Sequence, residues 1–188
     1  MRKVTKLMGI GLLVLGLAAC DSATKDTNAP AGSAAASVPS GQQVSLLDGK
    51  LTFTLPNGLA DQSDKLTNQP TNVHIYADST NQRAVIVIVA DKAAGDLDTL
   101  AKRMEEQQHS RDANLQVITN KAVEINGTPM RQLDTVITVA GQKAYSGVLL
   151  AMLPDGKQLT LQITLPADNQ QQSQSVAAGV FNTVKIKQ

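Results

Sequence analysis

Along the chain, the spacing of apolar residues changes several times, and the changes divide it. The first apolar run, Leu7–Ala19, follows Arg2, Lys3 and Lys6. A bilayer core asks for roughly 20 helical residues at 1.5 Å each, so this shorter run with a basic start predicts an export signal over residues 1–19. Residues 20–43 come next, and the stretch "APAGSAAASVPSG" within them has no sustained apolar period. Such a composition buries too little surface to offset the entropy of ordering, which predicts a flexible tether. As a coil it would reach roughly 25–30 Å, at about 5–6 Å times the square root of its length.

From Val44 onward the pattern is that of a folded domain, expected over residues 44–188. In "VSLLDGKLTFTLP" the Asp48-Gly49 pair signals a turn, and Leu51, Phe53 and Leu55 alternate with Thr52 and Thr54, which predicts a hairpin with a half-buried strand. Two strand-like runs flank the polar turn Asp78–Gln82. The second, Ala84–Ala90, is apolar at every position, so it is expected to be central and covered on both faces by helices or a partner chain.

After Gly95 the period lengthens. Leu97, Leu100, Ala101 and Met104 share one helical face, and Asp96 is placed to cap the helix. Strand patterns then resume, punctuated by Asn126-Gly127, Gly141-Gln142 and Pro154-Asp155-Gly156, which predicts a meander of about four antiparallel strands. A closing stripe of Val176, Ala177, Val180, Phe181 and Val184, with Asp168 as its expected cap, reads as a terminal helix packed on the sheet. The whole is an α+β fold: a mainly antiparallel β-sheet with helices packed on it.

Composition adds the compartment. The single cysteine, Cys20, comes directly after Leu17-Ala18-Ala19. This resembles a bacterial lipobox, in which the thiol receives a diacylglyceryl group and the cysteine becomes the mature N-terminus. One acyl chain holds a protein to a membrane only marginally and two or more hold it stably, so Cys20 is expected to be a lipid anchor. No thiol then remains, and the domain must be stable without disulfides. In lipoproteins resembling this one, aspartate at the position of Asp21 retains the protein in the inner membrane. With Arg2, Lys3 and Lys6 removed from the 17 basic residues, 14 remain against 16 acidic ones. A slightly acidic chain with two Tyr, two Phe and no Trp has neither the basic excess nor the stacking rings of a nucleic-acid binder, so no direct nucleic-acid binding is expected.

Catalytic signals are sparse. His74 and His109 belong to no HxxxH, HExxH or cysteine-containing pattern, so no metal site is expected. No GxSxG occurs, and Ser146 falls inside a predicted strand; a hydrolase would have to assemble its triad from distant positions. The "DSTNQ" stretch at Asp78 lacks the glycine and terminal glutamate of a calcium loop and reads as a turn. Glu105 and Glu106 are adjacent on a helix and point apart. There is no phosphate loop and no dinucleotide fingerprint, hence no expected cofactor. Arg103, Glu106 and Arg111 in "MEEQQHSRD" can present charges together, as a partner-binding face or simply as a soluble helix surface. The scarcity of rings among many Val, Ile, Leu and Met side chains fits a well-packed aliphatic core, or an aliphatic cleft between sheet and helix suited to an acyl chain.

The ordered blocks "GIGLLVLGLAACD", "LLDGKL", "AVIVIV", "LAKRMEEQQHSRD", "LQVITNKA", "QITLPAD" and "NTVKI" resemble the DcrB family of enterobacterial lipoproteins. The resemblance runs through nearly the whole chain and weakens in the tether. It implies a PsbP-like α/β/α sandwich, a role in maintaining the cell envelope that includes support of lipoprotein maturation, and use by some phages during infection; it supplies no catalytic motif. The expectation is therefore an inner-membrane lipoprotein facing the periplasm, a non-enzymatic binding module for envelope proteins or lipids. A binder of lipids or other hydrophobic ligands and a hydrolase are the alternatives, and homodimer formation through sheet edges stays open.

Overall fold

Backbone pairing begins where the small-residue tract ends. The computed structural model describes residues 41–65, 71–91, 95–139 and 141–187. The expected leader, Cys20, Asp21 and most of the expected tether lie outside the described residues. At Gly41 a Cβ would sit 1.6 Å from the Leu55 carbonyl oxygen, so only glycine admits this approach, and the Leu55 amide donates to the Gln42 carbonyl at 2.9 Å. Strands β1 (Gln43–Leu46) and β2 (Leu51–Thr54) then pair antiparallel. Their connection is longer than the two-residue turn that Asp48-Gly49 suggests: Leu47, Asp48 and Gly49 all have positive φ, with the Gly49 and Lys50 amides returning to Leu46 and Leu47.

Strand β3 (Ala60–Asp61), a single 3-10 turn (Ser63–Lys65), β4 (Val73–Ala77) and β5 (Ala84–Ala90) follow. Helix α1 (Leu97–Arg111) starts as its sequence predicts, with the Asp96 carboxylate accepting from the Thr99 amide at 2.8 Å. The meander is β6 (Gln116–Ile125), β7 (Thr128–Val139), β8 (Gln142–Met152) and β9 (Gln158–Pro166). Asn126 and Gly127, both at positive φ, form the two-residue β6–β7 turn. Helix α2 (Gln170–Asn182) is capped by Asn169, which accepts from the Gln172 amide, one position after the expected Asp168. The chain closes with β10 (Lys185–Ile186).

Seven strands form one antiparallel sheet in the order β3-β4-β5-β9-β8-β7-β6, and β1-β2-β10 form a second. Against one face of the large sheet lie α2 and the small sheet. Leu51, Phe53, Leu149, Leu161, Val180 and Phe181 are all but fully buried there, and Phe53 meets Tyr76 edge-to-face with centroids 6.2 Å apart. Each such side chain contributes about 1.5–3 kcal/mol by leaving water, so this layer dominates stability. A smaller core on the other face joins Leu100 and Ala101 of α1 to Leu133, Val148 and Leu150. The layers are those of the α/β/α sandwich.

β5 is an interior strand, paired on both sides, as expected, and the chain's own elements cover its two faces unequally: Val85, Val87 and Val89 are buried while Ile86 and Ile88 are only half-buried. Helix α1 lies over β7 and β8, so its cover does not extend to β5.

Candidate functional site

Polar ties fix α1 over that one side of the sheet. Arg131 of β7 pairs with Asp98 at 2.8 Å and donates to Asn120, which in turn donates to Glu105. Thr135 donates to the Gln108 side chain at 2.9 Å. The register then lays out a row across the sheet: Leu133, Val148, Gln162, Ile86 and Ile75 are successive cross-strand neighbours on one face. The first two lie in the core under α1; the last two are half-buried.

A cavity of about 410 Å³ opens at the margin of the helix, lined by Met104, Gln107, Gln108, Arg111, Asp112, Ile137, Thr138 and Gln162. Its floor includes Gln162, whose amide donates to Ser146 at 3.1 Å and is thereby drawn toward β8, away from Ile86. Asp112 sits at the helix end. Hydrogen bonds from the Thr138 and Asn114 amides, at 2.6 and 2.8 Å, hold its carboxyl below the ordinary range, so both oxygens are engaged by backbone. Arg111 is exposed and makes no ion pair among the described residues. The cavity thus combines two apolar side chains, several amides, the Arg111 cation and the Asp112 carboxylate, the last two not in direct contact as an ion pair. The aliphatic side chains fill two packed cores, and this groove is half polar, not an enclosed apolar pocket.

Sequence reading missed a second feature. Asp134 of β7 and Tyr145 of β8 are both buried on the opposite face, and neither the Tyr145 hydroxyl nor Asp134 Oδ1 completes a hydrogen bond. Gln132 donates to Asp134 Oδ2 at 2.7 Å. Burial pushes the Asp134 carboxyl up, against the pull of the Gln132 amide; burial and then the nearby Asp134 charge push the Tyr145 hydroxyl up. A β-bulge between Val117 and Thr119 brings Thr119 opposite Asp134. Gly147 lies across from Asp134, and a Cβ there would meet Tyr145, Ile163 and Phe181 side chains at 3.2 Å each. The strand pattern "MRQLDTVITV" hid the pair, because both faces of β7 are buried and an inward acid looks like an outward one.

The remaining candidates do not converge. His74 is on β4 and His109 on the exposed side of α1, and among the described residues no three His, Cys, Asp or Glu side chains are placed to hold a metal. Ser146 is fully buried with its hydroxyl engaged by Gln162. Asp78 does organise a turn: burial would raise its carboxyl, but Arg83, Thr80 and the Arg83 and Gln82 amides outweigh it and hold the carboxyl at about 2.

The sequence model of DcrB matches residues 51–183, which takes in the meander, both helices and the groove. The chain belongs to the DcrB family. Its likeness to a DcrB protein named "Inner membrane lipoprotein DcrB", from Shigella flexneri, is 55% identity over 189 residues, covering 100% of both chains. Among solved structures, cyanobacterial PsbP from Synechocystis superposes with a TM-score of 0.59 at 15% identity, covering 83% of this chain and 98% of that one. The Ran-binding protein Mog1p of Saccharomyces cerevisiae gives 0.58 at 15% identity, covering 79% and 96%. At these identities PsbP and Mog1p establish the fold of the DcrB domain and nothing about its ligands.

Proposed function

We propose that this chain is an inner-membrane lipoprotein whose domain faces the periplasm and works as a non-enzymatic binding module in envelope biogenesis. In this reading Cys20 carries the lipid, Asp21 keeps the protein in the inner membrane, residues 20–43 form the tether and residues 44–188 the working domain. The full-length identity to a protein named as an inner membrane lipoprotein carries it, together with the cysteine placed directly after the apolar leader. Tethering confines the domain to a shallow layer, where its effective concentration for membrane partners is high and weak contacts suffice. Support of lipoprotein maturation and use by phages come with the family resemblance and belong to the same proposal. A second copy could pair along β6, the long edge strand, although its bulge and Lys121 are features that discourage edge pairing.

The test is incorporation of radiolabelled palmitate in cells, followed by fractionation. Label in the wild-type chain and its loss in Cys20→Ser, with release from the inner-membrane fraction, is the expected outcome. An unlabelled wild type, or a Cys20→Ser protein that fractionates unchanged, refutes it.

A further inference from the structure

We infer that the groove beside α1 binds a short stretch of extended peptide, net neutral and aliphatic, through one secondary amide held between Gln108 of the helix and Gln162 of the sheet. The reason lies beneath the groove. Thr135 and Ser146 are fully buried cross-strand neighbours beside Leu133 and Val148 of the core under α1, and a buried hydroxyl is costly unless it is hydrogen-bonded. Each holds one glutamine of the groove lining: the Thr135 hydroxyl donates to Gln108 Oε1 at 2.9 Å, and Gln162 Nε2 donates to Ser146 Oγ at 3.1 Å. The two amides are thereby fixed in opposite senses. Gln108 is left with its Nε2 donor and Gln162 with its Oε1 acceptor, and neither atom has a hydrogen-bond partner among the described residues.

A trans peptide unit directs its C=O and N–H in opposite directions, so it can accept from the Gln108 amide on the helix and donate to the Gln162 carbonyl on the sheet at once. Met104 and Ile137 line the same groove and offer aliphatic surface to the side chains on either side of that amide. Charge selects a neutral ligand: Arg111 and the Asp112 carboxylate both line the groove, so a cation or an anion entering it meets a like charge. Because both glutamine amides are oriented before the ligand arrives, little rotamer freedom is lost on binding. The 410 Å³ of the groove lies within the roughly 300–1,000 Å³ range of ligand sites. An N-acetylated sugar carries the same amide, but it also brings a ring and several hydroxyls. No aromatic side chain lines the groove to stack on that ring, and both Asp112 oxygens are already taken by the Asn114 and Thr138 amides. The inference rests on the binding-module reading above, for which it names a ligand class. Peptide binding is read at Met104 and lipidation at Cys20, so the palmitate experiment and the one below can fail separately.

The test uses the full chain in phosphatidylcholine nanodiscs with methyl-labelled methionine. An N-acetylated, methyl-esterified pentapeptide of alternating alanine and valine is titrated in. Two matched probes are its all-ester analogue, which keeps the carbonyls and lacks every backbone N–H, and N-acetylglucosamine. Met104 lines the groove, whereas Met130 is buried in the core on the other face and serves as the internal reference for an intact fold. The peptide should shift the Met104 methyl saturably and leave Met130 in place, and the sugar should have no effect. The ester should bind about three- to ten-fold more weakly than the peptide, the loss expected of one neutral hydrogen bond. Gln162→Leu should weaken the peptide by a similar factor yet leave the ester unchanged, because the ester has no N–H to lose; Gln108→Leu should weaken both. Thr135→Val, which frees the Gln108 amide to turn, should also weaken both, and Thr135→Ser should restore them. A Met104 methyl that does not move, equal binding of peptide and ester, a Gln162→Leu effect common to both, or N-acetylglucosamine binding more tightly than the peptide overturns the inference.

Discussion

Replacing Asp134 by asparagine should stabilise the protein at neutral pH. The side chain is 3% exposed, one of its oxygens has no hydrogen-bond partner, and the Tyr145 hydroxyl beside it is equally unsatisfied. Leaving a buried polar group unpaired costs about 1–3 kcal/mol and more when it is charged. Asparagine keeps an acceptor for Gln132, offers a donor toward Tyr145 and removes the charge, so a gain of about 1–3 kcal/mol is expected near pH 7. The sign of the pH dependence follows from the raised carboxyl. An acid that holds its proton more tightly in the native state than the 3.8 of the free group contributes stability that is complete below 3.8 and is lost as pH rises through the native value. The advantage of Asp134→Asn should therefore be greatest at neutral pH and shrink to nothing below 3.8. Without tryptophan, the assay is urea unfolding followed by far-UV circular dichroism; at about 2 kcal/mol per molar, the midpoint should rise by roughly 0.5–1.5 M. A variant less stable than wild type at neutral pH, or a difference that does not change with pH, refutes the reasoning.

Gly147→Ala should destabilise by about 1–2 kcal/mol, because three buried side chains must each give way at 3.2 Å and this overpacking exceeds what strand propensity returns; a neutral or stabilising result in the same urea assay would contradict the packing. Asp78→Ala should lower stability at neutral pH by roughly 1–2 kcal/mol through loss of the turn's hydrogen bonds. Since the Asp78 carboxyl is held at about 2, its contribution is present above 3.8 and lost as pH falls toward 2, so melting curves of variant and wild type should converge in acid.

Much of the architecture was legible because it is written locally. Asp96 three residues before the Thr99 amide it caps, Asn126-Gly127 between two β-branched runs, and Leu51, Phe53 and Leu55 in alternation each specify their own conformation. What failed was non-local. An unbroken run such as Ala84–Ala90 is compatible with cover on two faces or one, and the outcome depends on which strands α1 reaches, a matter decided by Arg131, Asn120 and Thr135 far along the chain. The groove was not legible, since Met104, Ile137 and Gln162 become neighbours only through sheet order. The Asp134–Tyr145 pair left no trace because β7 is buried on both faces.

The small sheet has a practical corollary. β2 holds β1 on one side and β10 on the other, and the Lys187 amide donates to the Lys50 carbonyl at 2.8 Å, so front and rear of the globular part are stitched to the same four-residue strand. β1 and β10 therefore run parallel to each other, with Gln43 opposite Thr54 and Ile186 opposite Leu51, so the chain enters at one end of β2 and its last described residues leave at the other. Cargo attached at the rear would be carried at the end of β2 opposite to the one where Gln43 enters, on the far side of the small sheet.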